Sequence, residues 1–505
     1  MGNATAPERQ EHAQQPVAHV GPFALPIPRA DIAIRLTLLG IAIALQNLLE
    51  APRGILLGVF GERGTGIVLV VALAVSLYLI ARALLPDPPR WRLLSSRRAQ
   101  VVVLALTLLA ALFGLKSLGS IAVAGFNTPY YPNDGTTLDH FAAQELLRGH
   151  NPYVTTDIVT AIHQFQQDPM RTTPLARGAF AGLPAGRYPS HDLIREVFGQ
   201  QPIGQPDKVV EFETHVSYPA LGFLPLVPFV WAGFPSVVVF YAICLLLLVV
   251  ALVASAPAEA RPWIALLALA SAPLLDATVA GSLDVQWILL MYIAWRWSGR
   301  RIVSTLALGL AIASKQLAWF FLPYYAIYIW QRYDLRSALT RLGGAAVVFL
   351  AVNAPFIISN SRAWLDGVLA PQLAPMFPSG TGFVRLSLAG VLPLFPQAVY
   401  AALEAATLVA ALVWYWRRGK DSPEMAFVLA VLPLFFAWRS LTTYFYYIGL
   451  PALTLLLARR YASDPSATAQ AQGYWQPLWR RLVERWRRLT SERTGAAAGK
   501  GGSAP

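Results

Sequence analysis

Two aspartates, a histidine and an Asn-Pro-Tyr turn stand close together in the stretch YYPNDGTTLDHFAAQELLRGHNPY, residues 130–153 of an otherwise strongly apolar chain. Asp134 follows the end of a long apolar run. A carboxylate at such a boundary is partly desolvated by the membrane surface yet within reach of polar molecules, which suits a general base. The plain alternative is an Asx-turn onto Gly135. Asp139 falls inside a helical pattern, where a solvated face explains it. Further along, Lys315 interrupts LALGLAIASKQLAWFFLP, Arg385 follows GTGFV, and Arg439 lies in FFAWRSLTTYFYY. Ionisable groups at membrane depth are costly and usually face an internal cavity, although long basic side chains also snorkel to an interface. Asp276 and Asp284 are candidate partners for Lys315. Tyr444, Tyr446 and Tyr447 either line a groove or belong to an aromatic belt. Five of the seven histidines, His140, His150, His163, His191 and His215, fall between residues 125 and 215. Their spacing matches no metal motif and predicts a solvated, hydrogen-bonding role; His215, just before VSYP, is the one to test.

The elements that carry these residues follow from composition. The chain has 505 residues, 56% hydrophobic and 13% charged, with mean hydropathy +0.49. That profile excludes an ordinary soluble domain and indicates an all-α polytopic membrane protein. The polar, Pro-rich first thirty residues have no signal-peptide pattern, so the first span is expected to act as the insertion signal. The single cysteine, Cys244, permits neither an intramolecular disulfide nor a Cys-based metal site and reads as a small packing residue. The net charge of +13 is distributed in short basic segments beside apolar runs, which marks cytoplasmic loops rather than nucleic-acid binding. The acidic 125–215 segment is expected outside.

Spans are expected near 31–49, 66–85, 100–124, 216–232, 236–255, 262–280, 283–297, 301–314, 316–330, 342–360, 397–416, 424–439 and 441–458, about 11–13 membrane segments in all. Charge parity requires one segment between 216 and 297 to be re-entrant or incomplete, either YPALGFLPLVPF or ALASAPLLDATVAGSLD. Around this multi-span domain (31–458) lie a polar N-terminal tail (1–30), an external loop at 125–215, a second at 361–395, and a basic cytoplasmic tail (459–505). In the first loop Leu138, Phe141, Ala142, Leu146 and Leu147 form an amphipathic pattern, read as a helix flat on the membrane surface and ended by Gly149. The tail carries an amphipathic helix at 474–490, suited to an anionic leaflet. No internal repeat supports an inverted-repeat transporter.

The ordered motifs resemble the GT-C class of membrane glycosyltransferases, and among them the bacterial polyprenyl-phosphate-mannose-dependent mannosyltransferases. An acidic residue in the first external loop is followed by a short helix and LLRGHNPY. Then come VSYPALGFLPLVP, similar to a Tyr-Pro-Pro segment, and AGSLDVQWILLMYIAWRW, similar to a Gly-Asn segment. LALGLAIASKQLAWFFLP resembles a Lys-containing helix pair, and RSLTTYFYYIGLPAL a Tyr-rich last helix. The likeness covers residues 100–458. The chain departs from it at Tyr218-Pro219-Ala220 and within GSLD.

The resemblance implies a GT-C-like helical bundle that moves a hexose, with mannose the expected sugar, from a polyprenyl phosphate to a hydroxyl of a glycolipid, glycan or protein on the outer face. It assigns the catalytic base to Asp134, whose distance to Gly149 fits the family register, over Asp139. His215, Tyr218, Asp284, Lys315, Arg385, Arg439 and Tyr444 are the implied substrate contacts, with Asp139 as a further one. Arg385 is the first choice for the lipid phosphate, because a Gly-rich turn beside it could present backbone donors. No metal or cofactor is implied; the lipid-linked sugar phosphate is a substrate. A lipid phosphate leaves without a general acid but needs cations to hold its charge, so one base and one cationic patch suffice for inversion. The rivals are a transporter or flippase of a lipid-linked sugar, and a non-enzymatic membrane scaffold.

Overall fold

The computed structural model describes residues 28–50, 53–87, 97–127, 131–184 and 186–461. The expected 474–490 helix and most of both tails lie outside the described residues. The architecture is all-α and polytopic. Its principal helices are α1 (Ala30–Leu49), α2 (Arg53–Leu84), α3 (Arg97–Phe126), α4 (Asp134–Leu147), α5 (Val238–Ser255), α6 (Arg261–Ala270), α7 (Ala272–Val279), α8 (Asp284–Arg296), α9 (Arg301–Ser314), α10 (Leu322–Arg332), α11 (Leu335–Ser359), α12 (Ser361–Leu373), α13 (Gln397–Arg418) and α14 (Gly449–Tyr461). The short strands β1 (Ser379–Gly380) and β2 (Arg439–Ser440) pair in parallel.

Among the described residues, six helices are by length and composition apolar enough to span a membrane: α1, α2, α3, α5, α11 and α13; shorter apolar helices lie at 220–231, 301–314 and 423–436. The pair α6–α7, bent by 60°, makes a seventh if it is one span. One segment is expected to be incomplete, and both candidates for it are interrupted. Residues 220–231 form only short helical turns punctuated by Pro225 and Pro228, and 261–279 breaks at Ser271. Proline removes a backbone donor and clashes with the preceding turn, so neither segment continues as one straight helix.

The break at Ser271 leaves backbone groups that hydrocarbon cannot satisfy. Asn47 of α1 supplies the partners. Its Nδ2 donates to Ala270 O at 2.9 Å, and its Oδ1 accepts from Ala272 N at 3.2 Å. Arg35, fully buried in α1, does the same at the end of α2, donating to the carbonyls of Ala83, Leu85 and Pro86. A guanidinium suits a helix C-terminus, where unpaired carbonyls gather.

The 131–215 segment is not a set of surface helices. It folds around a second apolar core in which Leu138, Ile158, Ile162, Ile194, Phe198 and Phe212 meet Phe356 of α11 and Trp364 and Val368 of α12. Helix α4 is buried almost all round, from Thr136 to Ala143, so the expectation of a helix lying on the membrane surface is corrected. Its small residues Thr136, Thr137 and Ala143 let neighbours approach the face opposite the apolar pattern. Gly149, at φ +84°, does end it, in the left-handed conformation that favours glycine. The Asn-Pro-Tyr turn starts the next helical turn: Asn151 accepts from Tyr153 N, Pro152 takes the first helical position, and the buried Tyr153 hydroxyl donates to Tyr218 O at 2.7 Å.

Candidate active site

Asp134 is the first residue of α4. Asn133 caps the helix, its Oδ1 accepting from Thr136 N at 2.8 Å. The same cap ties α4 to the corner after α7. Asn133 Nδ2 donates to Ala280 O at 3.1 Å, and Thr136 Oγ1 to Gly281 O at 2.8 Å. Gly281 has φ +71°, and a Cβ there would come within 2.5 Å of Thr136 Cγ2. Only glycine permits this close seating of α4 on the corner.

The corner leads straight into α8 and Asp284. That carboxylate, 1% exposed, accepts from Lys315 Nζ at 2.8 Å, Trp287 Nε1 at 2.7 Å and Ser282 Oγ at 2.8 Å. Lys315 reaches it because α9 ends at Ser314 and Lys315 itself is extended before a short 3-10 turn. Its ammonium also stands 5.3 Å from the centroid of the Tyr218 ring. Tyr218 closes the circle: a Cβ on Gly135 would lie 3.1 Å from its hydroxyl. Four stretches far apart in the chain, around Asp134, Tyr218, Asp284 and Lys315, thus form one contiguous centre. Asp276 is not the partner of Lys315; it accepts from Ser117 Oγ at 2.8 Å.

Arg439 and Tyr444 belong to the same electrostatic neighbourhood, since Tyr444 feels both Arg439 and Lys315. Arg439 is fixed by the β1–β2 pair, in which Ser379 faces Arg439 and Gly380 faces Ser440. Gly380, at φ +118°, allows this approach; a Cβ would sit 1.9 Å from Ser440 O. The backbone of this Gly-rich turn is engaged, with Ser379 N donating to Trp438 O, Thr381 N to Ser440 O, Phe383 N to Phe435 O and Arg385 N to Gly382 O. These four amides hold the strand pair and the start of the following helix together. Arg385 itself lies on the short helix Val384–Leu388, packed against α2 at Gly66.

Asp134 Oδ1 accepts from Gly135 N at 2.8 Å. Its other oxygen has no hydrogen-bond partner among the described residues, so one acceptor remains for a proton. The surroundings mix carboxyls and cations. Glu213, 9% exposed, and the more exposed Tyr188 both feel Asp134 and Arg439. Burial first, and Asp134 second, push the Glu213 carboxyl up to about 7 against the pull of Arg439 and Arg177.

Asp139 overturns the solvated-face reading. It is 1% exposed, and its Oδ1 has no hydrogen-bond partner among the described residues. Burial pushes its carboxyl up to about 8, Lys315 pulls it down and Asp134 pushes it up, so it is a neutral acid near pH 7. The histidines were also expected in water, and two are not. His140 is 3% exposed and bonded to the Tyr131 hydroxyl at 2.9 Å, and burial lowers it to about 4. His215 is largely buried, with Nδ1 unpartnered, and burial lowers it too. Among the described residues no three His, Cys, Asp or Glu side chains converge as a metal site would require.

Glu213 and Tyr188 escaped sequence reasoning. Neither interrupts an apolar run, and their tie to Asp134 exists only in the folded loop.

Residues 216–438 match the family model of Glycosyltransferase family 87. No curated protein and no solved structure matches the chain. The matched stretch is less than half of the chain. It includes Tyr218, Asp284, Lys315 and Arg385, stops one residue before Arg439, and excludes Asp134 and Glu213. Combined with the apolar helices, this match supports a membrane glycosyltransferase.

Proposed function

We propose that the protein is an inverting hexosyltransferase that takes a sugar, mannose by resemblance, from a polyprenyl phosphate and passes it to a hydroxyl of a glycolipid, glycan or protein. The observation that carries this reading is the placement of Asp134, with one carboxylate oxygen unengaged among the described residues, beside Gly135, which meets Tyr218 next to the Asp284–Lys315 pair. In the proposed step the acceptor oxygen forms a bond to the anomeric carbon and the bond from that carbon to the phosphate oxygen breaks. The acceptor proton passes to Asp134, and polyprenyl phosphate departs with its charge held by Arg439, with Arg385 as a second candidate cation. Tyr218, Tyr444 and Lys315 shape the sugar pocket, and Asp284 keeps Lys315 in place. In the GT-C-like arrangement proposed here, the 131–215 segment faces the outer side of the cell membrane and the C-terminal tail the cytoplasm.

The test uses the full chain in lipid nanodiscs with radiolabelled polyprenyl-phosphate mannose and octyl α-mannoside as acceptor. Transfer is expected in the wild type and is expected to fall by about 10²–10⁴-fold in Asp134→Asn, the range of general-base catalysis. Equal transfer in Asp134→Asn, or movement of the lipid-linked sugar across the bilayer of sealed proteoliposomes holding the same chain with no transfer in either protein, would overturn the proposal.

A further inference from the structure

A second concavity opens between the 206–215 stretch of the long loop and α12. Its volume is about 590 Å³, within the range of small-ligand sites. The charged and titratable groups that line it are Arg177, Asp207, Glu213, His215, Arg362 and Asp366. Tyr153, Phe212 and Ala370 give it an apolar floor. Tyr153 is the link: it lines this groove, and its hydroxyl donates to Tyr218 O at 2.7 Å. A molecule in the groove would therefore lie next to the Tyr218 side of the proposed centre.

The lining selects a type of ligand. Its cations are matched by carboxyls: Arg362 stands 3.7 Å from Asp366, and Arg177 is within electrostatic reach of Glu213. His215 adds a buried ring nitrogen with no partner. An anion would meet three carboxyls and a cation two guanidinium groups. A neutral polyol has donors and acceptors for both kinds of group and a ring face for the apolar floor. We infer that this groove is the acceptor subsite and that it takes an uncharged glycosyl group. The assignment as acceptor rests on the transferase reading above; the preference for a neutral glycoside rests on the lining alone. One wall, 206–215, lies outside the stretch that matches the family model, whereas α12 lies within it. The acceptor specificity is thus built partly by this chain's own loop.

The experiment measures binding to the purified full-length protein by isothermal titration, with octyl α-mannoside as the neutral probe and octyl glucuronide as its charged counterpart. The mannoside is expected to bind at least ten times more tightly than the glucuronide. Ala363→Trp, which projects into the groove from α12, is expected to weaken mannoside binding at least tenfold. Ala363 also touches the loop core, so Asp366→Ala is the second variant. That side chain is 73% exposed and its removal cannot unfold the core; about threefold weaker binding is expected. Unchanged mannoside affinity in both variants, or a preference for the glucuronide, would overturn the inference. Groove-dependent mannoside binding in a protein that transfers no sugar would sink the transferase reading and leave the neutral-glycoside site standing.

Discussion

Lys315 and Arg439 bring positive charge to the same centre, and their circumstances are opposite. Lys315 is 12% exposed, paired with Asp284 at 2.8 Å and placed over an aromatic ring. Its charge is neutralised where it stands. Arg439 is ion-paired with none of the described carboxylates; Nη1 contacts the Met376 sulfur, and Nε is buried without a hydrogen-bond partner. A guanidinium left so under-engaged gains most from an arriving phosphate, whose oxygens can accept two parallel hydrogen bonds. One cation organises the site; the other is available to it.

The sharpest way to break that contrast is to remove the available cation. Arg439→Gln is expected to reduce sugar transfer by about 10²–10³-fold, the effect of losing one pre-aimed charge-stabilising group, with little change in melting temperature. A strongly destabilised but active variant would show that Arg439 is structural instead.

Removing the matched cation should do the reverse. Lys315→Met leaves the Asp284 carboxylate buried and unpaired, and about 3–5 kcal/mol of stability is expected to go with it. Lys315→Met combined with Asp284→Leu is expected to recover most of that loss, as read by chemical or thermal unfolding in detergent. If the double variant is no more stable than the single one, the pair is not what holds the corner.

Gly380→Ala probes the device that positions Arg439 without touching its charge. A side chain at φ +118° and against Ser440 O must displace the strand pair, at about 1–3 kcal/mol. Transfer is expected to fall further than that stability loss accounts for, because β2 carries the guanidinium.

The smallest effect concerns Asp139, a third charge-bearing residue near the centre with no hydrogen bond to one of its oxygens. Its folded-state carboxyl titrates near 8 against an ordinary value of 3.8. Between those values the folded state retains a proton that the unfolded chain has released, so stability falls as pH rises through this window. Asp139→Asn, isosteric with the neutral acid, is expected to melt like the wild type near pH 4. At pH 8–9 it is expected to melt several degrees higher. Parallel melting curves at all pH values would mean that Asp139 is ionised in the fold.

Much of this centre was legible in the sequence because a charge inside an apolar run is conspicuous. Asp284, Lys315 and Arg439 stand out that way, Asp134 stands out by its place at the end of such a run and by its register to Gly149, and the left-handed stop at Gly149 was readable from its residue type. The rest was hidden for identifiable reasons. The burial of Asp139 depends on small neighbours on α4 that look polar or neutral in a hydropathy pattern, yet permit close packing on every side. The engagement of the Gly380 turn depends on a partner strand some sixty residues later. An apolar segment broken by proline reads in the sequence like one straight span, and only the bend at Ser271 reveals the difference. Glu213 sits in a polar loop with no pattern of its own, and its position follows from a core shared with α11 and α12.

The amide of Asn47 has a bearing on how the chain is assembled. The corner that carries Gly281 and Asp284 descends from a break whose exposed peptide groups are satisfied by a side chain on the first described helix. Synthesis delivers that helix more than two hundred residues before the break emerges. The earliest span thus waits in the bilayer as a template, and the kinked pair has its polar backbone met only on docking there. A substitution at Asn47, remote from any sugar, would show itself as failed biogenesis and not as a slow enzyme.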